Sequence, residues 1–392
     1  MRSQIALNRS STALLALAML AVLATSATGQ LAGKEIHIGI GAPLTTGAAT
    51  FGVEMRQAID FAIAERNAAG GILGAKIIAD VADDEANPAT GEAVAAGFCG
   101  NSELLGVVGH VNSGVTIAAS KVYAGCGLPM ITPMASNPGV TDNGLPNVFR
   151  LTNRDDRKGP GLAAYLIGKM GKHHAIVVDD GTQYGKGLAD SFAKGFEANG
   201  GAVVTRQAVK VGDTQFGDFV KALPKDFDVL FFAGIREGAL ILKEMRAQGV
   251  NQLFACGDGC WDAKGFIAPS AGAALQGEGV RILSAAPALG RVAGSAEFAA
   301  AYTAKYGPIN NYAASSYDSA RVLFAAIETA AKGKQAMPTR AEVLVALKGI
   351  TFQGIAYARP VQWNEKGDNK AAVIFVNVVE GDRFKEIDQI GE

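Results

Sequence analysis

The chain has 392 residues, 49% hydrophobic and 19% charged, with 36 basic and 37 acidic side chains. That length admits two domains of ordinary size, and that balance describes a folded globular chain rather than a disordered one. The formal net charge is −1 and no basic block stands out. Nucleic acid is therefore disfavoured as a partner, because phosphate binding needs clustered Lys and Arg.

Residues 1–29 read as an export signal rather than as fold. Arg2 and Arg9 form a positive start, residues 13–23 (ALLALAMLAVL) an apolar core, and residues 24–29 supply small side chains for cleavage. A membrane anchor needs a longer apolar run, roughly 18 residues or more. No cysteine precedes Cys99, so a lipoprotein attachment cysteine is absent. The expectation is a soluble, exported mature chain with a net charge of about −3, in an oxidising compartment such as a periplasm.

Residues 36–42 (IHIGIGA) predict the first strand, followed by a polar loop over 43–50. Phe51, Met55, Ile59, Ala62 and Ile63 recur at helical spacing, and Gly70-Gly71 stop that helix. A strand over 76–81 runs into Asp83-Asp84-Glu85, and Pro88 opens a helix over 89–98. A strand at 104–108, a helix at 115–123 and strands at 128–132 and 147–152 follow. This alternation implies a parallel sheet with helices on both faces.

The pattern then restarts. Helices are predicted at 161–170, 184–198, 216–223 and 237–248, and strands at 174–178, 202–209, 227–232, 252–255 and 279–284. Helices at 295–306, 312–332 and 339–347 and strands at 371–379 and 384–387 close the chain. The fold class is α/β, with a second domain of like architecture. Cys99 lies late in one predicted helix and Cys126 just after the next, so a disulfide between them is expected. Cys256 and Cys260 are spaced to close a small loop. Zinc is disfavoured there, because no histidine is near and the spacing is not the usual two-residue one.

The stretch 104–138 carries the strongest functional signal. Two predicted strands end in turns bearing hydroxyls, Ser113 and Ser136, at one carboxyl edge of the sheet. Ser113 and Gly114 also fall where a helix begins, with unsatisfied N–H groups and a positive dipole end suited to a carboxylate. The same placement also serves a plain N-cap. Asp258 follows a strand between two glycines that let a backbone approach closely, although from composition alone a lone turn aspartate of this kind reads as structural, by Asx-type bonding. Enzyme motifs are missing. The run GIGAPLTTG has Leu44 where a dinucleotide fingerprint needs its third glycine, GTQYGKG lacks phosphate-loop spacing, and neither G-x-S-x-G nor H-E-x-x-H occurs. His110 has no recognisable nucleophile partner.

The strings GHVNSGVTIAAS and MITPMASNP resemble the periplasmic leucine/isoleucine/valine-binding proteins of ABC importers, and the resemblance extends over nearly the whole mature chain. It implies a type I periplasmic binding protein fold: two Rossmann-like lobes with parallel central sheets, joined by a three-segment hinge. Candidate crossings are 150–155, 284–288 and 357–362. The first lobe would comprise 31–152 plus 287–358 and the second 153–286 plus 359–392. The resemblance places the ligand carboxylate and ammonium at Ser113 and Ser136, with the Met134 carbonyl in the same loop. Asp258 becomes the acid that pairs with the ammonium. Phe51 in the first loop, Tyr184 in QYGKGLA and Tyr317 become aromatic contacts, and Val111, Asn112 and Ala135 share the two loops. The segment Ala233-Gly234-Ile235-Arg236-Glu237 is one residue shorter than the family pattern, which puts Ile235 where some members carry a pocket tyrosine.

These apolar residues favour an uncharged ligand side chain, and no Lys or Arg is placed to pair with an acidic one unless Arg236 folds inward. The expected function is capture of a neutral, branched aliphatic amino acid by a monomer and delivery to an ABC permease, with no cofactor or metal. The alternatives are an amide, urea or aromatic-acid binder on the same fold, a sensor that partners a membrane receptor, or a secreted α/β enzyme.

Overall fold

The strand Leu104–Gly109 is apolar on both sides, as an interior parallel strand must be, and every one of its residues is buried. The structure, a computed structural model, describes residues 30–310 and 312–391, so the expected signal segment lies outside the described residues.

The first sheet is built from β1 (Glu35–Ala42), β2 (Lys76–Asp83), β3 (Leu104–Gly109), β4 (Met130–Thr132) and β5 (Val148–Arg150). Its order is β2-β1-β3-β4-β5 and every pairing is parallel. Helices α1 (Ala49–Ala68), α2 (Pro88–Gly100), α3 (Ser113–Gly125) and α4 (Gly139–Asp142) connect the strands. Asn87 caps α2 through the amides of Ala89 and Thr90, and Pro88 begins that helix where its missing N–H does no harm.

The chain then crosses to a second unit. Here α5 (Asp155–Met170), β6 (His174–Asp179), α6 (Gln183–Ala198), β7 (Ala202–Ala208), α7 (Gly217–Lys221), β8 (Val229–Ala233), α8 (Glu237–Ala247), β9 (Leu253–Cys256) and β10 (Val280–Ser284) follow in order. It crosses back for α9 (Ser295–Tyr306), α10 (Ala313–Ala331) and α11 (Arg340–Lys348), which pack on the first sheet and its helix α1. A Cβ built at Gly106 of β3 would lie 2.6 Å from the Leu323 side chain of α10, so that helix sits directly on the sheet. The chain ends with β11 (Ile374–Glu380) and β12 (Arg383–Ile390) in the second sheet, whose order is β12-β11-β10-β9-β8-β6-β7.

The two-lobed fold with parallel central sheets holds with one qualification, and one boundary is corrected. The second sheet is parallel only from β10 to β7; β11 runs antiparallel to both β10 and β12. The turn between β11 and β12 is Gly381-Asp382, and a two-residue turn can only reverse the chain. The third crossing also comes later than 357–362. The Arg150 amide donates to the Gly367 carbonyl at 2.9 Å and the Asn369 amide to the Arg150 carbonyl at 3.0 Å. Trp363 packs on Phe149 and donates its indole N–H to the Leu347 carbonyl. Residues 361–369 therefore remain against the first sheet.

In each sheet the chain leaves the first strand in one direction and later in the other: β1 lies between β2 and β3, and β6 between β7 and β8. Loops at such a reversal diverge and leave a crevice at the carboxyl ends of the strands. The two crevices face each other. Disulfides join Cys99 to Cys126 and Cys256 to Cys260.

Candidate ligand-binding site

The loops of both crevices enclose a cavity of about 220 Å³ between the lobes. From the first lobe come Phe51, Val111 to Val115, Met134 and Ser136; from the second come Thr182 to Tyr184, Ile235 and Asp258; Tyr312, just before α10, closes one side.

One polar part of the wall is made by α3. Asn112 occupies the N-cap position without a side-chain cap bond, and Ser113 is the first helical residue, so the plain N-cap reading of Ser113 does not describe it. The Ser113 hydroxyl instead accepts the Asn137 amide at 3.2 Å, which ties α3 to the loop after β4. The first amides of α3 have no partner within the helix and present its positive end to the cavity. In the loop after β4, the Thr132 hydroxyl accepts the amides of Met134 and Ala135, at 3.3 and 3.0 Å, which fixes how Ser136 is presented.

A second polar part of the wall is acidic but not bare. Asp258 is 2% exposed. Its Oδ1 accepts the Tyr184 hydroxyl at 2.9 Å, and that hydroxyl in turn accepts the Gly259 amide at 3.0 Å. Its Oδ2 accepts the Lys158 ammonium at 2.5 Å and also the Tyr312 hydroxyl. The same ammonium lies 3.5 Å from Asp155 Oδ1. Burial alone would raise the Asp258 carboxyl, but the Lys158 charge and the bonds from Lys158, Tyr312 and Tyr184 outweigh it and hold the group below its usual range. Asp155, fully buried, is pushed up to about 6 by desolvation against the pull of Lys158. Desolvation also lifts the Tyr184 and Tyr312 phenols well above their usual value, so both remain donors. The walls are apolar: the Tyr312 ring meets Phe51 and Trp261 edge to face, at 5.9 and 5.7 Å.

Of the residues singled out from sequence, Phe51, Val111, Asn112, Ser113, Gly114, Met134, Ser136, Tyr184, Ile235 and Asp258 line the cavity. Ala135 stands behind it, packed with the sheet-side core around Val140 and Met130. Tyr317 is not in the cleft; its hydroxyl bonds Glu65 of α1 at 2.5 Å, on the outer side of the first lobe. Tyr312 takes the place expected of it. Lys158 was missed altogether. Its signal is periodicity, since Lys158, Gly159, Leu162, Ala163 and Leu166 share the buried face of α5. Gly159 holds that face tight, because a Cβ there would lie 2.5 Å from the Phe192 nitrogen of α6.

Beside the cavity a wider chamber of about 680 Å³ shares Ala86, Asn112, Thr182 and Ile235 with it and carries Asp180 and Arg236 at its wall. Burial pushes the Asp180 carboxyl up to about 6, against bonds from Thr182. Among the described residues no group of three or more His, Cys, Asp or Glu is placed to hold a metal ion, and no helix is long and apolar enough to cross a membrane.

Two α/β lobes, linked by three crossings and facing across an apolar cavity with a few polar groups in its wall, define a solute-binding protein that holds its ligand between lobes. The chain matches the family described as periplasmic binding protein over residues 35–383, and it belongs to that family. It is 37% identical over 259 residues to a Leu/Ile/Val-binding protein homolog of Brucella melitensis, a match covering 66% of this chain and 69% of the relative. It is 33% identical over 317 residues to the Leu/Ile/Val-binding protein BraC3 of Rhizobium johnstonii, covering 80% and 85%.

Among solved structures it resembles the branched-chain amino acid transporter substrate-binding protein LivJ of Streptococcus pneumoniae in complex with isoleucine. The TM-score is 0.81 at 26% identity, over 91% of this chain and 99% of that one. The leucine-binding protein LivK of Thermotoga maritima gives a TM-score of 0.80 at 25% identity, over 91% and 99%. The chain is thus a non-catalytic substrate-binding protein of an ABC transporter, with a small-molecule ligand and permease components as its partners.

Proposed function

We propose that the ligand is a neutral amino acid with a branched aliphatic side chain, captured by an exported monomer in the periplasm and delivered from there to the permease. The observation that carries this reading is the polarity of the cavity. The amino end of α3 with Ser113, Asp258 with its two tyrosine donors, and the apolar Phe51, Val111 and Ile235 all line the one cavity. A carboxylate suits the helix end, and an apolar side chain suits the walls. The names of the relatives point the same way.

The test is a thermal-shift panel on refolded protein over all common amino acids, amides and aromatic acids. Leucine, isoleucine or valine should raise the melting temperature progressively with concentration, since a ligand that binds only the folded state stabilises by mass action. Aspartate and lysine should not. A panel in which only amides or aromatic acids shift the midpoint overturns the reading.

A further inference from the structure

Asp258 is the acid that the ammonium of an amino acid would seek, yet a cation of the chain's own already holds it. Lys158 is fully buried and its ammonium lies 2.5 Å from Asp258 Oδ2, while Asp258 is itself 2% exposed. Tyr184 and Tyr312 donate to the same carboxylate. A carboxylate has about four lone-pair sites, so three are filled.

A ligand ammonium entering this site loses its water and finds an acid whose charge is already matched, so its gain is a single remaining acceptor. A ligand without an ammonium leaves nothing orphaned, since Asp258 keeps Lys158 and both tyrosines. With a bare aspartate the same ligand would strand a buried charge, and discrimination against it would be steep. The second carboxylate facing Lys158, Asp155, stands 3.5 Å from the ammonium and belongs to the protein whichever ligand enters.

We propose that Lys158 serves as a built-in counter-cation that lets the cavity accept 2-oxo acids as readily as the amino acids with the same side chain. The substrate class is then an apolar 2-substituted carboxylic acid, read by its carboxylate and side chain rather than by its ammonium. This rests on the reading that an apolar acid binds with its carboxylate at α3.

The experiment is calorimetry at neutral pH with refolded wild type and three pairs of probes: leucine, valine and phenylalanine, each with its 2-oxo acid. For any pair that binds, the 2-oxo acid is expected within about tenfold of the amino acid; a 2-oxo acid weaker than that overturns the proposal. Lys158→Gln keeps the length and polarity but removes the charge. It should shift the affinity ratio toward the amino acid by about tenfold or more, and an unchanged ratio in folded Lys158→Gln overturns the role given to Lys158. The wild-type comparison stands even where that variant does not fold. Binding of no member of any pair overturns the proposed function and this inference with it, whereas binding of amino acids alone overturns only the inference.

Discussion

Glu54 of α1 accepts the backbone amide of Tyr312 at 3.2 Å, so a single buried acid anchors the residue whose ring closes the cleft. Only one carboxylate oxygen is used; the other is buried with no hydrogen-bond partner. Desolvation, against bonds from the Tyr312 and Asn310 backbone, pushes this carboxyl from its ordinary value of 4.5 up to about 8.

The sign of the pH effect follows. Below 4.5 the group is protonated in both folded and unfolded chains and contributes nothing. As pH rises toward 8 the unfolded chain releases the proton while the folded one keeps it, so the fold loses stability, by roughly 3 kcal/mol at pH 7. Glu54→Gln keeps the acceptor and removes the titration. It should be more stable than wild type near pH 7.5 in urea unfolding, with the gap closing as pH falls to 4.5. A gap independent of pH would show that Glu54 is ionised in the fold.

Asp258→Ala should destabilise the unliganded protein by about 3 kcal/mol, because it leaves the Lys158 ammonium buried with Asp155 as its remaining carboxylate. Asp258→Asn retains an acceptor and should lose less. Urea unfolding of both variants beside wild type measures this; equal midpoints for all three would mean that the buried pair adds nothing to stability.

The Cys99–Cys126 disulfide spans 27 positions of sequence. A loop of that size restricts the unfolded chain by about 3.5 kcal/mol in the chain-entropy account. The double variant Cys99→Ala/Cys126→Ala should therefore melt at a lower temperature than wild type while retaining ligand affinity, since neither cysteine touches the cavity. Loss of binding in a folded double variant would contradict that separation.

The site is split between two units joined by crossings near 151–154, 285–294 and 370–373. Solution scattering should show a smaller radius of gyration with saturating ligand than with refolded, empty protein. An unchanged radius would mean that the lobes do not close on what they bind.

The strand and helix order was legible because each element carries its own period and stop, as in the wholly buried run of β3 or the Asn87-Pro88 start of α2. Ser113, Tyr184 and Asp258 were legible because parallel α/β units bring residues after strand ends to one edge. Tyr317 was misplaced for a rotational reason. It lies five positions beyond Tyr312, and five positions turn a helix by about 140°. One tyrosine therefore faces the cleft and the other faces α1, and the choice depends on where α10 starts. Lys158 was hidden differently. A lysine in DDRK reads as surface, and only the acid 100 positions further on, brought beside it by the fold, makes its burial tolerable.

The return of α10 to the first sheet sets a timetable for the chain as it is made. Gly106 lies against Leu323, so the apolar face of β3 has no cover until more than two hundred further residues have emerged. Until then the first unit is an open-faced sandwich, and contacts so distant in sequence form slowly because a long loop must close before they are made. A newly made chain is thereby held in a pliable, incompletely packed state for longer than its size alone would require, which is the state in which a polypeptide can still be threaded through a narrow pore.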